Sequence, residues 1–402
     1  MISDIPVHEV HVSELRTFLE CRRQWDLQYV QRWEPIKTPR PLEFGTAWHR
    51  CLEELYNPSL WEKSTKQELF RRALLALEHE LDRQKSAYLD RTETYTLDPD
   101  DSVEYEYRYR LGKNMLHNLV RNIDKDEFRP IAVEEEYEAP ITWSGTSQPI
   151  TCVCIRCRQN PQNSLSEYWN SSIDRGSSFQ GLPLYVRCRI DALFEYRDGS
   201  ILIADHKSAV QLLAKNAIAT LQRDIQLGTY LWVARMNGLP VTGALYNQFR
   251  KAYPKPPKRL TASPDGRQYS ISRTQLTDYY TAKRVFKTDR WAYTRGLYDD
   301  YLTWLKNDST KEFFRQFIIF KSPDQLNIVG DLLRTYAIEM TNVVDIYPNS
   351  SVRFVCDLCK FNEPCLSLYE GRTGEEVRQE LEASFTQQPL LWYERERLER
   401  RT

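Results

Sequence analysis

The stretch 187–207, RCRIDALFEYRDGSILIADHK, constrains the fold more than any other part of the chain. Apolar residues nearly alternate through 184–196 and again through 200–207, and Arg197-Asp198-Gly199 stands between the two runs. Alternation interrupted by an Asp-Gly turn predicts a β-hairpin. The second strand runs Ile201-Leu202-Ile203-Ala204 and then delivers Asp205, His206 and Lys207. Side chains two residues apart leave a strand on one face, so Asp205 and Lys207 point the same way, while Asp191 stands on the partner strand. One carboxylate from each of two paired strands, with a lysine beside one of them, is a compact holder for a divalent cation and a water next to a phosphate. Hard oxygen ligands suit Mg²⁺ or Mn²⁺. The plainer alternative is a solvated strand end, since Asp-x-Lys after an apolar strand is common.

With 402 residues, the chain has room for one elaborated domain or two. Its 41% hydrophobic and 28% charged residues are those of a water-soluble globular protein. No apolar run reaches the roughly 18 residues of a membrane span, and MISDIPVHEV lacks the basic-then-apolar form of a secretion signal, so a cytoplasmic location is expected. The formal charge of -1 leaves nucleic acid open as a partner, because acids gathered at a site and bases along a groove cancel in the sum. Nine cysteines without an export signal point to metal ligation rather than disulfides.

Around the hairpin, Ser13 is placed to cap a first helix carrying Leu15, Phe18, Trp25 and Tyr29 at helical spacing. After a proline-rich connection, residues 42–56 predict an amphipathic helix with His49 on it; Gly45, Thr46 and Ala47 permit close backbone approach. A histidine there is more often a packed residue than a ligand. Further helices are expected over 66–85 and 101–122. Residues 131–141 read as a strand on which Glu134 and Glu136 share a face, although an acidic triplet is more often solvated than catalytic. The polar, turn-rich segment 142–183 reads as an insertion; Cys152, Cys154 and Cys157 at its start lack an evident fourth ligand. A helix over 215–237 sets Gln226 and Tyr230 on one face, and 241–249 is strand-like. Strand, strand, helix, strand is an α/β order, with the central strands covered by helices. Residues 250–259, RKAYPKPPKR, and the aromatic and basic residues through 295 suggest a phosphate-contacting surface. A long helical region up to residue 306, a strand over 312–320 and a helix over 323–346 follow.

Near the C-terminus, Cys356, Cys359 and Cys365 form C-x₂-C-x₅-C, a spacing shared by Zn²⁺ and iron-sulfur sites. Cys21 is the fourth ligand we assign. It ties the first helix to the last segment, and four thiolates suit either metal.

Taken in order, the cysteine, GTAWH, the Glu-bearing strand, RID, DHK, QxxxY and C-x₂-C-x₅-C resemble the PD-(D/E)XK nucleases, in particular their iron-sulfur branch. That branch holds the RecB and AddB nuclease domains and the CRISPR adaptation exonucleases, and the length and FRKAYPKPPKRL are most similar to stand-alone phage members. The resemblance implies a restriction-endonuclease-like core in a single elaborated domain, 1–402. Residues 42–56 and 131–250 form the catalytic core, with 142–183 inserted, 12–30 and 353–366 as a cluster module, and 251–350 as a helical, basic elaboration. It implies that His49, Asp191 and Asp205 bind Mg²⁺ or Mn²⁺ together with the His206 carbonyl, that Lys207 orients the attacking water, and that Glu134, Gln226 and Tyr230 belong to the site. It also implies a 4Fe-4S cluster on Cys21, Cys356, Cys359 and Cys365, and DNA with single-stranded ends as substrate of an exonuclease in recombination, repair or phage DNA processing. The chain departs from the pattern at Cys188, where many relatives carry glycine, and in its cysteine-bearing insertion. A DNA-binding or scaffolding protein with structural zinc or iron-sulfur and no cleavage is the rival reading.

Overall fold

The structure is a computed structural model, and it describes residues 8–36, 40–92, 99–142, 147–152, 182–214, 216–308, 313–342, 346–349 and 353–388. Its strands are β1 (His8–His11), β2 (Trp33–Pro35), β3 (Phe128–Pro140), β4 (Thr151–Cys152), β5 (Leu182–Tyr196), β6 (Ile201–Ala209), β7 (Val241–Arg250), β8 (Phe314–Ile319) and β9 (Phe385–Gln387). The longer helices are α1 (Val12–Glu20), α2 (Arg40–Leu55), α3 (Lys66–Thr92), α4 (Pro99–Asn122), α5 (Ile225–Met236), α6 (Tyr279–Phe286), α7 (Asp299–Asp308), α8 (Pro323–Thr341), α9 (Asn362–Tyr369) and α10 (Gly374–Ser384).

A seven-stranded mixed sheet is built on β5, in the order β1-β5-β6-β7-β8 with β3 and β4 also on β5. Strand β3 runs antiparallel along almost the whole of β5, from Phe128 opposite Tyr196 to Pro140 opposite Tyr185. Two strands share the other edge. Parallel β1 covers Leu184 to Arg187, and antiparallel β6 covers Ala192 to Glu195. Between these ladders β5 has neither neighbour, and Asp191 lies in that interval. β7 continues the sheet parallel to β6, and β8 closes it antiparallel to β7. The hairpin expected over 184–207 is therefore present, with Gly199 in its turn at a φ of 80° that favours glycine.

Helices cover both faces. On one, α1, α5 and α8 contribute Phe18, Leu227 and Leu333 to a core with Val186, Ile190 and Ile203 of the sheet. On the other, α2, α3 and α4 contribute Trp48, Leu77 and Leu116 to a core with Phe194, Leu202 and Ala204. Along β5 the same-parity positions Leu184, Val186, Cys188 and Ile190 feed the first core, yet Ala192 and Phe194 feed the second. The change falls at Asp191. A third, smaller core around Phe286 and Tyr298 belongs to the segment between β7 and β8, while β8 and α8 pack with the main sheet. A fourth joins Leu27 and Trp33 to Phe361, Val377 and Phe385, where β2 pairs with β9.

Several helices differ from their sequence reading, each for a local reason. The first breaks at Cys21, whose extended backbone (φ -161°, ψ 114°) ends α1 and starts the short helix Arg22–Trp25. Ser13 lies inside the first turn of α1, whose N-cap residue is His11. The helix expected over 215–237 is two, Ile218–Leu221 and α5, because the Asp224 carboxylate accepts from the Leu227 amide at 2.9 Å and begins a new N-terminus. Asp278 and Asp289 likewise cap α6 and the short helix Arg290–Thr294, dividing what reads as one long helix before residue 306. Cys154, Cys157 and the Cys152 side chain lie outside the described residues, with most of the 142–183 insertion.

Two glycines test this packing. A Cβ on Gly243 of β7 meets the Ile319 carbonyl oxygen at 2.8 Å, whereas one on Gly45 of α2 meets nothing within 4 Å, so no other part of the described chain needs the close approach read from GTA. Gly243→Ala is expected to lower stability by about 1–3 kcal/mol through backbone overpacking. Gly45→Ala is expected to raise it by about 0.5–1 kcal/mol, as alanine does in a helix interior. Urea unfolding midpoints of the two variants should move in opposite directions.

Candidate metal centre and its surroundings

The centre opens where β6 leaves β5. Beyond the pair Ala192 and Ala204, the His206 amide no longer serves the ladder with β5 and instead donates to Asp191 Oδ2 at 2.6 Å. Asp191 is thus fixed by the backbone of the neighbouring strand. Its other oxygen, Oδ1, lies 3.6 Å from Nδ1 of His49, which α2 brings over the sheet. Glu134 completes the group, with Oε1 3.5 Å from the same nitrogen and Oε2 ion-paired with Arg189, whose Nε lies 2.9 Å away. Ligand atoms from His49, Glu134 and Asp191 all lie within 4.8 Å of one another.

Glu134 reaches this position through a backbone that few residues adopt. Its φ of 51° is left-handed, and Arg32 is the other non-glycine with positive φ among the described residues. Such a conformation costs about 1–3 kcal/mol and persists where neighbours impose it. Here the β3–β5 ladder holds Val133 opposite Ala192 and Glu135 opposite Ile190, pinning both flanks. Glu134 and Glu136 do share a face, reaching Arg189 and Arg187 respectively.

Asp205 and Lys207 occupy the adjoining part of β6, on one side of the strand as their spacing requires. Lys207 Nζ donates to Asp205 Oδ1 at 2.6 Å, and Gln226 Nε2 donates to the same oxygen at 3.2 Å and to the Tyr230 hydroxyl at 2.7 Å. Gln226 and Tyr230, one turn apart on α5, therefore hold a carboxylate that is 1% exposed. The side chain of His206 points the other way, into the second core. Its ring stacks on Tyr56 at 5.7 Å, and its Nδ1 lies 3.3 Å from Asn247 Nδ2, whose amide oxygen accepts from Gln316. Burial pushes the His206 imidazole well below its usual range, so the ring is neutral.

The electrostatics are those of too many acids in one place. Burial drives the Asp191 carboxyl up to about 6; the His49 ring opposes the rise, and Asp205 and Glu134 add to it. Burial also disfavours charge on His49, but Asp191 and Glu134 outweigh it and raise its pKa. Lys207 is raised in the same way, with Asp205 and Asp191 overcoming its desolvation. Glu134 is lowered, since His49 and Arg189 outweigh its burial. Two carboxylates and one imidazole, with Asp191 costly to ionise because of its burial and its neighbours Asp205 and Glu134, are donors that suit a hard divalent cation.

The cysteines gather elsewhere. Cys21, Cys356, Cys359 and Cys365 line one small cavity of about 20 Å³ together with Gln24, Pro348 and Phe361. The break after α1 turns Cys21 toward the C-terminal segment, and its sulfur accepts from the Gln24 and Asn349 amides at 3.5 Å. Burial raises the Cys359 thiol, and the other three cysteines add to the rise; Cys365 is raised by burial too, with Arg23 opposing.

Sequence reasoning overlooked Arg189 and the layer beneath the centre. Arg189 sits two residues before Asp191 and so shares its side of the strand, a signal present in the RID motif. Tyr56 and Asn247 carried no such mark.

A mixed sheet flanked by helices, with acids converging where its central strands part, is the architecture of a metal-dependent nuclease. Residues 9–366 match the family model of the PD-(D/E)XK nuclease superfamily, and the chain belongs to that superfamily. No curated protein matches it significantly. No helix among the described residues is long and apolar enough to cross a membrane.

Cation binding can be read from stability. Mn²⁺ is expected to raise the melting temperature of the parent protein by mass action. Asp191→Asn removes one of the repelling carboxylates, so in EDTA it should melt at or above the parent temperature and gain nothing from Mn²⁺. Thermal scans with and without the ion check both signs.

Proposed function

We propose that the protein is a Mg²⁺- or Mn²⁺-dependent DNA exonuclease. The observation that carries this reading is the convergence of His49, Glu134 and Asp191 beside the Asp205–Lys207 pair, in a chain of the nuclease superfamily. His49, Asp191 and Asp205 hold the ion in this reading, with Glu134 and the His206 carbonyl beside them. When bound, the ion neutralises a non-bridging phosphate oxygen and lowers the pKa of its water.

The chain's own groups do the rest. The ammonium of Lys207, steered by Asp205, supplies positive charge where the transition state gains negative charge and orients the incoming water. Gln226 and Tyr230 keep Asp205 from swinging away from that task. The His206 amide fixes Asp191, and Arg189 keeps Glu134 turned inward. Action on free, single-stranded ends in recombination, repair or phage DNA processing rests on the likeness to the RecB and AddB group and to stand-alone phage enzymes, as does a place in the cytoplasm.

For the four cysteines we propose a 4Fe-4S cluster. A shared group is supported by Cys21, Cys356, Cys359 and Cys365 lining one cavity; iron-sulfur rather than zinc rests on the likeness to the iron-sulfur branch of the nucleases. Thiols that raise one another's pKa are also eased by bound cationic iron.

End-labelled single-stranded and duplex DNA incubated with Mn²⁺ should release short products from the parent enzyme, while closed circles stay intact. Asp205→Asn and Lys207→Ala should each lower the rate by about a thousandfold or more in protein that circular dichroism shows to be folded at the assay temperature; retained activity in Asp205→Asn defeats the assignment. Purified protein should be brown with an absorbance band near about 400 nm, as iron-sulfur proteins are. Cys356→Ser should lose the colour and melt earlier. A colourless parent with one zinc per chain replaces the cluster with zinc.

A further inference from the structure

The segment between β7 and β8 has its own core and a charge unlike the rest of the chain. From residue 251 to 300 there are eleven Lys and Arg against five Asp and no Glu, in a protein whose formal sum is -1. Asp278 and Asp289 are buried as helix caps, and Asp265 is held by Arg267. What faces solvent is therefore strongly positive.

Aromatic rings lie among these cations on α6. Lys283 Nζ donates to the Tyr279 hydroxyl at 2.8 Å and sits 5.1 Å from the centre of its ring. Tyr279 and Tyr280 meet edge to face at 5.3 Å, and the Arg121 guanidinium of α4 lies 4.1 Å from the Tyr280 ring centre. Tyr280 is 52% exposed. The charged groups acting on Tyr279 are Lys283, Lys306 and Lys287.

The placement is directional. Both crossings into this segment leave the sheet at the end that bears Lys207: Lys207 pairs with Gln248, Phe249 with Phe314, and the Lys251 amide donates to the Ala209 carbonyl at 2.8 Å. The segment then lies along α4. The Tyr253 hydroxyl donates to the Tyr107 carbonyl at 3.2 Å, and Arg121 meets Tyr280 on the same stripe of α4. The fourteen steps of helix from Tyr107 to Arg121 span about 20 Å, the length of about six stacked nucleotides.

We propose that Tyr279, Tyr280, Lys283 and Lys287, with Arg121, form a binding surface for the single-stranded DNA that leads to the metal centre. Lysines and Arg121 contact phosphates, and the exposed tyrosine stacks on bases. An unpaired strand is the form that offers base faces to an aromatic ring, whereas a duplex keeps them stacked inside. The identity of the strand rests on the nuclease reading; the binding surface is tested apart from cleavage.

Fluorescence anisotropy in EDTA, with 5′-labelled dT4 and dT20 and the full-length protein, reads it. The parent should bind dT20 far more tightly than dT4. Lys283→Ala/Lys287→Ala should weaken dT20 binding by about tenfold or more and reduce the slope of log K against log salt by about 1.4, at about 0.7 per lost phosphate contact on a single strand. Tyr280→Ala should weaken it about tenfold while leaving that slope unchanged. The substituted side chains are at the surface, so unchanged melting temperatures are expected and confirm folding. Parent affinity that does not grow with length, variants that bind dT20 like the parent, or polyglutamate competing as well as dT20 each overturn the proposal. Tight, patch-dependent dT20 binding without Mn²⁺-dependent cleavage leaves this surface standing and removes the nuclease reading alone.

Discussion

One hydrogen bond governs the arrangement of the centre: the amide of His206, released from the ladder with β5, held by the side chain of Asp191. A sheet ladder ordinarily consumes every backbone donor along its length. Where β6 bends away from β5, that donor must find another partner, and the carboxylate across the gap supplies it. The parting of the strands and the position of the acid are thus a single event. β1 takes over the vacated edge four residues earlier on β5, so the opening is bounded on both sides.

Charge is then loaded into this opening from three directions. α2 brings His49, β3 brings Glu134 through a left-handed backbone, and β6 brings Asp205 with its lysine. Asp191 and Lys207 are both raised: burial, helped by Asp205 and Glu134, lifts the acid, and Asp205 and Asp191 lift the base against its own burial. A fold under selection for stability alone has no reason to keep an acid at a positive φ against a buried neighbour. A divalent cation held by these groups would offset the charge burial that raises Asp191.

Much of this was legible in the sequence because it depends on period and punctuation. Alternation around Asp198-Gly199 gave the hairpin, the i, i+2 rule gave the common side of Asp205 and Lys207, and the i, i+4 rule gave the pairing of Gln226 with Tyr230. The helix boundaries were less legible, since Asp224, Asp278 and Asp289 start new helices through side-chain caps that a hydrophobic pattern does not register. The conformation of Glu134 and the change of core along β5 were not legible at all. Both arise from three strands meeting at one place, which no single stretch of sequence encodes. Cys21 lay between these cases: its residue type was informative, while the helix break that aims it was not.

The joining of β2 to β9, with Cys21 facing Cys356, Cys359 and Cys365, has a consequence in time. Translation proceeds from the N-terminus at about 5–20 residues per second. Cys21 and the β2 edge thus emerge on the order of 15–70 s before their partners exist. During that interval a thiol and an unpaired strand stand open on a nascent chain, and the clasp cannot close until residues 356–387 have been made.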